Sequence, residues 1–164
     1  MYTFITQTPL GAVQAAADDD ALRGLWFTGQ KYFPAAAETW HNRPDYPVFA
    51  ALEAWLKDYF SGKNPAVTMP LSPEGTDFQQ AVWKLLLEIP YGKTTTYGTI
   101  AANLGAAKDG AAQAVGGAVG HNPISLIIPC HRVLGADGSL TGYAGGLEKK
   151  RALLELEGAL PTLF

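Results

Sequence analysis

TDFQQAVWKLLLEIPYGKTTTYGTIAANLGAAKDGAAQAVGGAVG, residues 76–120, reads as three helices in succession. Thr76 with Gln79 forms a capping-box pattern at the start of the first. Phe78, Val82, Leu86 and Ile89 then recur at helical spacing, and Pro90-Tyr91-Gly92 ends the run. Thr94-Thr95-Thr96 precedes a short helix from about Tyr97 to Leu104, closed by Gly105. A second short helix is expected from about Gly110 to Val119. Two short helices around a glycine-containing turn suggest a helix-turn-helix, a pattern that many small helical domains share.

On the N-terminal side, the chain changes character. Tyr2 to Gln7, Val13 to Ala17 and Leu22 to Thr28 read as strands, with a turn at Pro9-Leu10-Gly11 and an acidic turn at Asp18-Asp19-Asp20. Residues 29–46 look irregular. Val48, Leu52, Trp55, Leu56 and Tyr59 then mark one amphipathic helix, stopped by Gly62. The Pro- and Gly-rich segment SGKNPAVTMPLSPEGT places a boundary near residues 70–76. The expected architecture is α/β (α+β). Residues 1–75 form a small sheet-plus-helix domain with its linker. Residues 76–164 form a helical domain with the helix-turn-helix and a cysteine-bearing segment. In that segment, Leu126-Ile127-Ile128 reads as a short buried strand or extended run. Leu147 to Leu156 reads as a final helix before Gly158 and Pro161.

Composition narrows the function classes. With 164 residues and 48% apolar content, the chain can bury a core and is not a disordered polymer. No stretch approaches the length of a membrane span, and the N-terminus lacks the layout of a secretory signal. A single cysteine excludes an internal disulfide and a multi-thiolate zinc site, so a reducing, cytoplasmic setting is expected. The net charge of −3 lies wholly in residues 1–75; residues 76–164 carry seven basic and seven acidic side chains.

The second short helix is unusual in content. Eight of the eleven residues Gly110 to Gly120 are Ala or Gly. Gly116, Gly117 and Gly120 each weaken a helix by about 1 kcal/mol relative to Ala. Small residues permit close helix packing. They equally permit entry into a DNA minor groove only about 6 Å wide, with backbone N–H groups meeting phosphates. Cys130 is the sole thiol. His131 and Arg132 beside it supply a base and a fixed positive charge, which favour a reactive thiolate. In a regular strand adjacent side chains face opposite ways, so either the chain turns at Cys130 or a water links it to His131. Three readings stand on these residues alone: an alkyl-accepting thiol, a cysteine hydrolase with a Cys130–His131 pair, and a binding module with a structural cysteine.

Ile128-Pro129-Cys130-His131-Arg132-Val133 resembles the signature of the O6-alkylguanine-DNA alkyltransferases, or methylated-DNA–protein-cysteine methyltransferases. Ala114-Val115-Gly116-Gly117-Ala118, Asn122-Pro123, Thr141-Gly142-Tyr143-Ala144-Gly145-Gly146-Leu147 and Leu156-Glu157-Gly158 follow the family's order and spacing. The resemblance is strong over about residues 76–160 and slight over 1–75. It implies a DNA repair protein that flips O6-alkylguanine out of the duplex. The alkyl group moves irreversibly to the protein's own cysteine, once per molecule.

By that resemblance Cys130 is the nucleophile, His131 a base acting through water, Glu157 its orienting carboxylate, Asn122 a hinge and Tyr143 the pocket hydroxyl. Tyr97 would lie beside the target phosphate and Gln113 in the vacated stack. Thr95, Thr96, Ala112, Gly116 and Arg132 would join them in contacting DNA. Val133, Ala144 and Val119 would line the substrate pocket. Where the family commonly has an arginine, this chain has Gln113, and Gly120 is neutral where a basic residue can occur. The implied partner is double-stranded DNA with alkylated bases, bound through its minor groove by a cytoplasmic monomer. No membrane, cofactor or metal is implied; with only His41 as a candidate histidine, no N-terminal zinc site is expected. The basic residues of the second domain are Lys84, Lys93, Lys108, Arg132, Lys149, Lys150 and Arg151. Several of them would face away from DNA, so a salt dependence of about two to four phosphates is expected.

Overall fold

The computed structural model describes residues 1–105 and 111–160, which fall into two compact units. Lys108, Gly110 and Pro161 lie outside the described residues. The first unit comprises Met1–Glu74 together with Pro123–Ser125, and the second Gly75–Asn122 with Leu126–Phe164.

In the first unit, β1 (Tyr2–Thr8), β2 (Gly11–Ala17) and β3 (Leu22–Phe27) form an antiparallel meander. A two-residue strand, β4 (His41–Asn42), adds in parallel to β1, so the sheet order is β3-β2-β1-β4. The helix α1 (Pro47–Phe60) has Pro47 in its first turn, where the missing N–H costs no hydrogen bond. Leu52, Trp55, Leu56 and Tyr59 are buried as the stripe predicts, but Phe49 rather than the half-buried Val48 takes the first inward position. Phe49 stacks on Phe4 of β1 with ring centroids 4.5 Å apart. Trp55 donates its indole N–H to the Pro65 carbonyl at 3.2 Å, which ties down the chain after the helix. Part of the irregular-looking segment 29–46 is regular: Ala35–Thr39 forms a 3-10 turn before β4.

The edge of β3 is occupied at two points. Leu22 bridges Leu71, and Leu25 bridges Ile124. Leu25 N–H donates to the Pro123 carbonyl at 2.8 Å, and Ser125 N–H donates to the Leu25 carbonyl at 2.9 Å.

The second unit opens with α2 (Asp77–Leu87). Thr76 Oγ1 accepts from Gln79 N–H at 3.1 Å, and Gln79 Oε1 accepts from Thr76 N–H at 3.0 Å, so both arms of the capping box are made. Val82, Trp83 and Leu86 are buried, whereas Phe78, expected in the same stripe, is 40% exposed. Trp83 takes the inward position, and its indole N–H donates to the Ala118 carbonyl at 2.9 Å. The helices α3 (Tyr97–Asn103) and α4 (Ala111–Gly120) pack on each other, and α4 also packs on α2. Thr96 caps α3 by accepting from Thr99 N–H at 3.1 Å.

Leu126-Ile127-Ile128 is not a strand. Leu126 has a left-handed φ of 72°, and the run is a series of turns that enters the cysteine segment. Cys130–Arg132 is a single 3-10 turn. It leads into β6 (Val133–Leu134), which pairs in parallel with β5 (Thr95–Thr96) just before α3. After a loop, α5 (Leu147–Leu156) closes the unit. Among the described residues no helix is long and apolar enough to cross a membrane.

Candidate active site

Pro129 shapes the approach to the thiol. Its ring locks φ near −65°, and here φ −81° with ψ 65° makes an inverse γ-turn. Cys130 N–H accordingly donates to the Ile128 carbonyl at 2.8 Å. Arg132 N–H then donates to the Pro129 carbonyl at 3.0 Å, which starts the 3-10 turn. With three residues per turn, successive side chains diverge by about 120° rather than 180°. Cys130 and His131 are therefore not forced onto opposite faces.

The thiol is 6% exposed, and burial pushes its pKa up. A hydrogen bond from the Asn122 side chain and the positive charge of Lys150 act in the opposite sense. Asn122 also donates Nδ2–H to the Ile128 carbonyl at 2.8 Å, so one amide braces the turn and touches the sulfur. The resting cysteine is mainly a protonated thiol that needs a base.

His131 is fully buried. It donates Nε2–H to Glu157 Oε2 at 2.7 Å; the carboxylate only accepts, which leaves Nδ1 as the basic nitrogen. Burial lowers the imidazole pKa most, and the charges of Arg132 and Lys150 add to that. Glu157 works against it, by its hydrogen bond and its charge. The ring is thus neutral near pH 7 and available as a base.

Arg132 was expected at the DNA surface. Instead it is 9% exposed, and its donors are turned inward. Nε donates to Glu157 Oε1 at 2.8 Å, Nη2 to Glu157 Oε2 at 3.1 Å, and Nη1 to the Ile89 carbonyl at 2.7 Å. The guanidinium also lies over the Tyr91 ring at 5.7 Å. This bidentate clamp fixes the carboxylate that holds His131.

Tyr143 Oη is buried and has no hydrogen-bond partner among the described residues. Burial holds its pKa well above the usual tyrosine value, so it remains a donor. Two residues before it in the chain, the Thr141 carbonyl accepts from Tyr97 Oη at 2.8 Å. Lys150 Nζ donates to the carbonyls of Thr141 and Gly142, both at 3.0 Å.

The remaining expected residues spread outward from this centre. Thr95 and Thr96 pair through their backbones with Val133 and Leu134. Val133 and Val119 are buried, and Ala144 is half-buried next to Tyr143. Gly116 is close to Tyr97: an added Cβ would lie 3.8 Å from that ring. Ala112, Gln113, Ala114 and Gly117 form an exposed surface of α4 free of bulky apolar groups. Among the described residues, no group of three or more His, Cys, Asp and Glu side chains could hold a metal ion.

Sequence reasoning missed Lys150 and the inward role of Arg132. A signal for the first was present. Lys150, Leu153, Leu154 and Glu157 fall at i, i+3, i+4 and i+7, so a lysine stands on the buried face of α5.

Comparisons with known proteins agree over most of the chain. Residues 77–159 match the family described as 6-O-methylguanine DNA methyltransferase, DNA binding domain. Residues 1–73 match its ribonuclease-like domain. A methylated-DNA–protein-cysteine methyltransferase of Mycobacterium bovis is 49% identical over 150 residues, covering 92% of this chain and 88% of that protein. One from Methanosarcina acetivorans is 44% identical over 159 residues, covering 97% and 99%. The crystal structure of Mycobacterium tuberculosis OGT in complex with DNA superposes with a TM-score of 0.87 at 45% identity, covering 97% of this chain and 94% of that one.

Proposed function

The chain belongs to the 6-O-methylguanine DNA methyltransferase family, and from that premise we propose how its residues repair alkylated DNA. The protein is a methylated-DNA–protein-cysteine methyltransferase that restores guanine by direct alkyl transfer. The observation that carries the mechanism is the buried thiol on a tight turn whose next residue is a neutral imidazole locked to Glu157.

The helix α4 enters the minor groove with its small, exposed face, while Gln113 fills the stack and Tyr97 stands at the target phosphate. Thr95, Thr96, Ala112 and Gly116 lie along the DNA path. The target nucleotide rotates out, because its O6 substituent cannot be reached inside the duplex. Val119, Val133 and Ala144 wall the pocket. His131 Nδ1 takes the thiol proton through a water, and Glu157 stabilises the imidazolium. The Cys130 sulfur then forms a bond to the alkyl carbon as the carbon–O6 bond breaks. Charge developing on O6 meets the Tyr143 hydroxyl, a donor with no competing partner among the described residues. The guanine takes back the proton, and Cys130 is left as a thioether. Among the described residues around Cys130 no group would reverse that bond, so each molecule acts once. Arg132 belongs to the Glu157 clamp in this scheme and leaves phosphate binding to other groups.

The test is to mix the protein with an O6-methylguanine duplex and weigh it intact. A gain of one methyl group, located on Cys130 and absent in Cys130→Ser, is expected. Transfer that continues beyond one equivalent of lesion would refute the single-use mechanism.

A further inference from the structure

The mechanism above leaves one buried ion without a task. Lys150 is 0% exposed and makes no ion pair among the described residues. Its ammonium is met by three partners: the Thr141 carbonyl at 3.0 Å, the Gly142 carbonyl at 3.0 Å, and the Tyr97 ring with its centroid 5.9 Å away. Three N–H donors face two oxygens and a π surface. Such a site is a poor stability device. A buried ammonium without a carboxylate is costly, and an apolar chain of similar volume is often as stable or more so. Stability therefore does not account for the lysine.

Its contacts point to the loop instead. Thr141 and Gly142 immediately precede Tyr143, whose hydroxyl is buried and unpartnered among the described residues. The Thr141 carbonyl is held twice, by Lys150 Nζ and by Tyr97 Oη at 2.8 Å. Gly142 has a left-handed φ of 67°, and the Tyr143 carbonyl accepts from Gly146 N–H at 2.9 Å as the chain bends into α5. Lys150 N–H, in turn, donates to the Gly146 carbonyl at 3.2 Å. The ammonium thus fixes the start of the segment that carries Tyr143, and the main chain of α5 fixes its end.

We propose that Lys150 is a positioning residue for alkyl transfer: its ammonium holds the 141–146 segment so that the Tyr143 hydroxyl meets the departing O6 of the base. The inference rests on the functional reading above. It implies a dependence on protonation. The charged and titratable groups around Lys150 are Cys130 and His131 of the 3-10 turn and Tyr97 of α3. Burial lowers the Lys150 pKa to about 8, with Cys130 opposing that shift. As pH rises past that value, the ammonium loses the charge that strengthens its hydrogen bonds to the two carbonyls and its contact with the Tyr97 ring, and the segment loosens. Tyr143 stays protonated throughout this range.

The experiment measures methyl transfer from free O6-methylguanine, which removes DNA contacts from the readout, across pH 6.5 to 10. The full-length wild type, Lys150→Met, Tyr143→Phe and the double variant are compared, and each is unfolded in urea. Lys150→Met is expected to keep or raise the urea midpoint yet slow transfer by about 10²-fold, the scale of a small misplacement of a reacting group. The wild-type rate should fall above pH 8, and Lys150→Met should lack that fall. In the Tyr143→Phe background the same substitution should have little further effect. Equal rates for Lys150→Met and wild type, or independent effects in the double variant, would overturn the proposal. If Lys150→Met does not fold, Lys150→Gln takes its place, and rates equal to wild type or effects independent of Tyr143→Phe overturn the proposal. Failure of the wild type to gain any methyl group would strike the functional reading itself.

Discussion

Glu157 Oε2 accepts a hydrogen bond from His131 Nε2 at 2.7 Å and, at the same atom, one from Arg132 Nη2 at 3.1 Å. One carboxylate oxygen thus couples the base of the reaction to a fixed cation. Oε1 takes a second bond from Arg132 Nε at 2.8 Å.

Glu157→Gln keeps the shape of that group and removes its charge. Arg132 is then a buried cation without its counter-ion, a change that costs about 3–5 kcal/mol when one partner of a buried pair is lost. Glutamine keeps a single acceptor oxygen, so His131 Nε2–H and the Arg132 donors must compete for it. Transfer should slow, and its rise with pH should move upward, because the thiol must ionise with less help from the base. DNA affinity should barely change. Urea unfolding and a transfer pH profile check this; a profile superimposable on wild type would remove Glu157 from the mechanism.

His131 makes stability fall in acid. Its folded pKa lies below the ordinary value of about 6.5 because the ring is buried. Below pH 6.5 the unfolded chain therefore binds a proton that the folded protein refuses. This contribution is fully present above pH 6.5 and is lost as pH drops further. His131→Gln removes the titration, so its urea midpoint should decline less steeply from pH 6.5 to 5 than that of wild type. Equal slopes would show that the ring is accessible to protons in the folded state.

Gly117 separates folding from DNA entry. A Cβ added there meets no atom within 4 Å, and the residue is exposed on α4. Gly117→Leu should raise stability by up to about 1 kcal/mol through helix propensity. Repair of a lesion in duplex DNA should nevertheless slow sharply, with transfer from free O6-methylguanine unchanged. Equal rates on duplex DNA would mean that this face does not enter the groove.

The salt dependence should be shallower than composition suggests. Arg132 and Lys150 are buried, and Arg151 lies 4.0 Å from Glu155. The slope of log affinity against log salt should be near −2, at about −0.9 per phosphate. A titration giving −4 or steeper would require basic residues that the structure turns inward to face DNA.

Much of the fold was legible because it is written in local signals. Thr76 and Gln79 announced α2, and the stripe from Val48 to Tyr59 announced α1. Cys130, His131 and Glu157 were legible as a set only through their joint spacing with the family motif. What escaped depends on contacts distant in sequence. The two-residue pairing of β5 with β6 has no periodicity to read. Leu126-Ile127-Ile128 has strand composition, yet the left-handed Leu126 bends it into turns. Arg132 was placed at the DNA by the family resemblance and Lys150 was only counted among the basic residues, since charged groups are seldom buried without partners. Their acceptors come from Glu157, Ile89, Thr141 and Gly142, and no short window of sequence lists them together.

The bridge between Leu25 and Ile124 has a consequence for biosynthesis. The edge of β3 receives Pro123–Ser125 only after residues 75–122 have been made. At about 5–20 residues per second, the ribosome leaves that edge open for several seconds. An unpaired strand edge is a template for pairing with another nascent chain. If, as proposed, the protein is consumed by each lesion it repairs, it must be replaced by fresh translation. The interval between residues 74 and 125 is thus where crowded synthesis would expose the chain to misassembly, and a fragment ending at Glu74 would carry that open edge permanently.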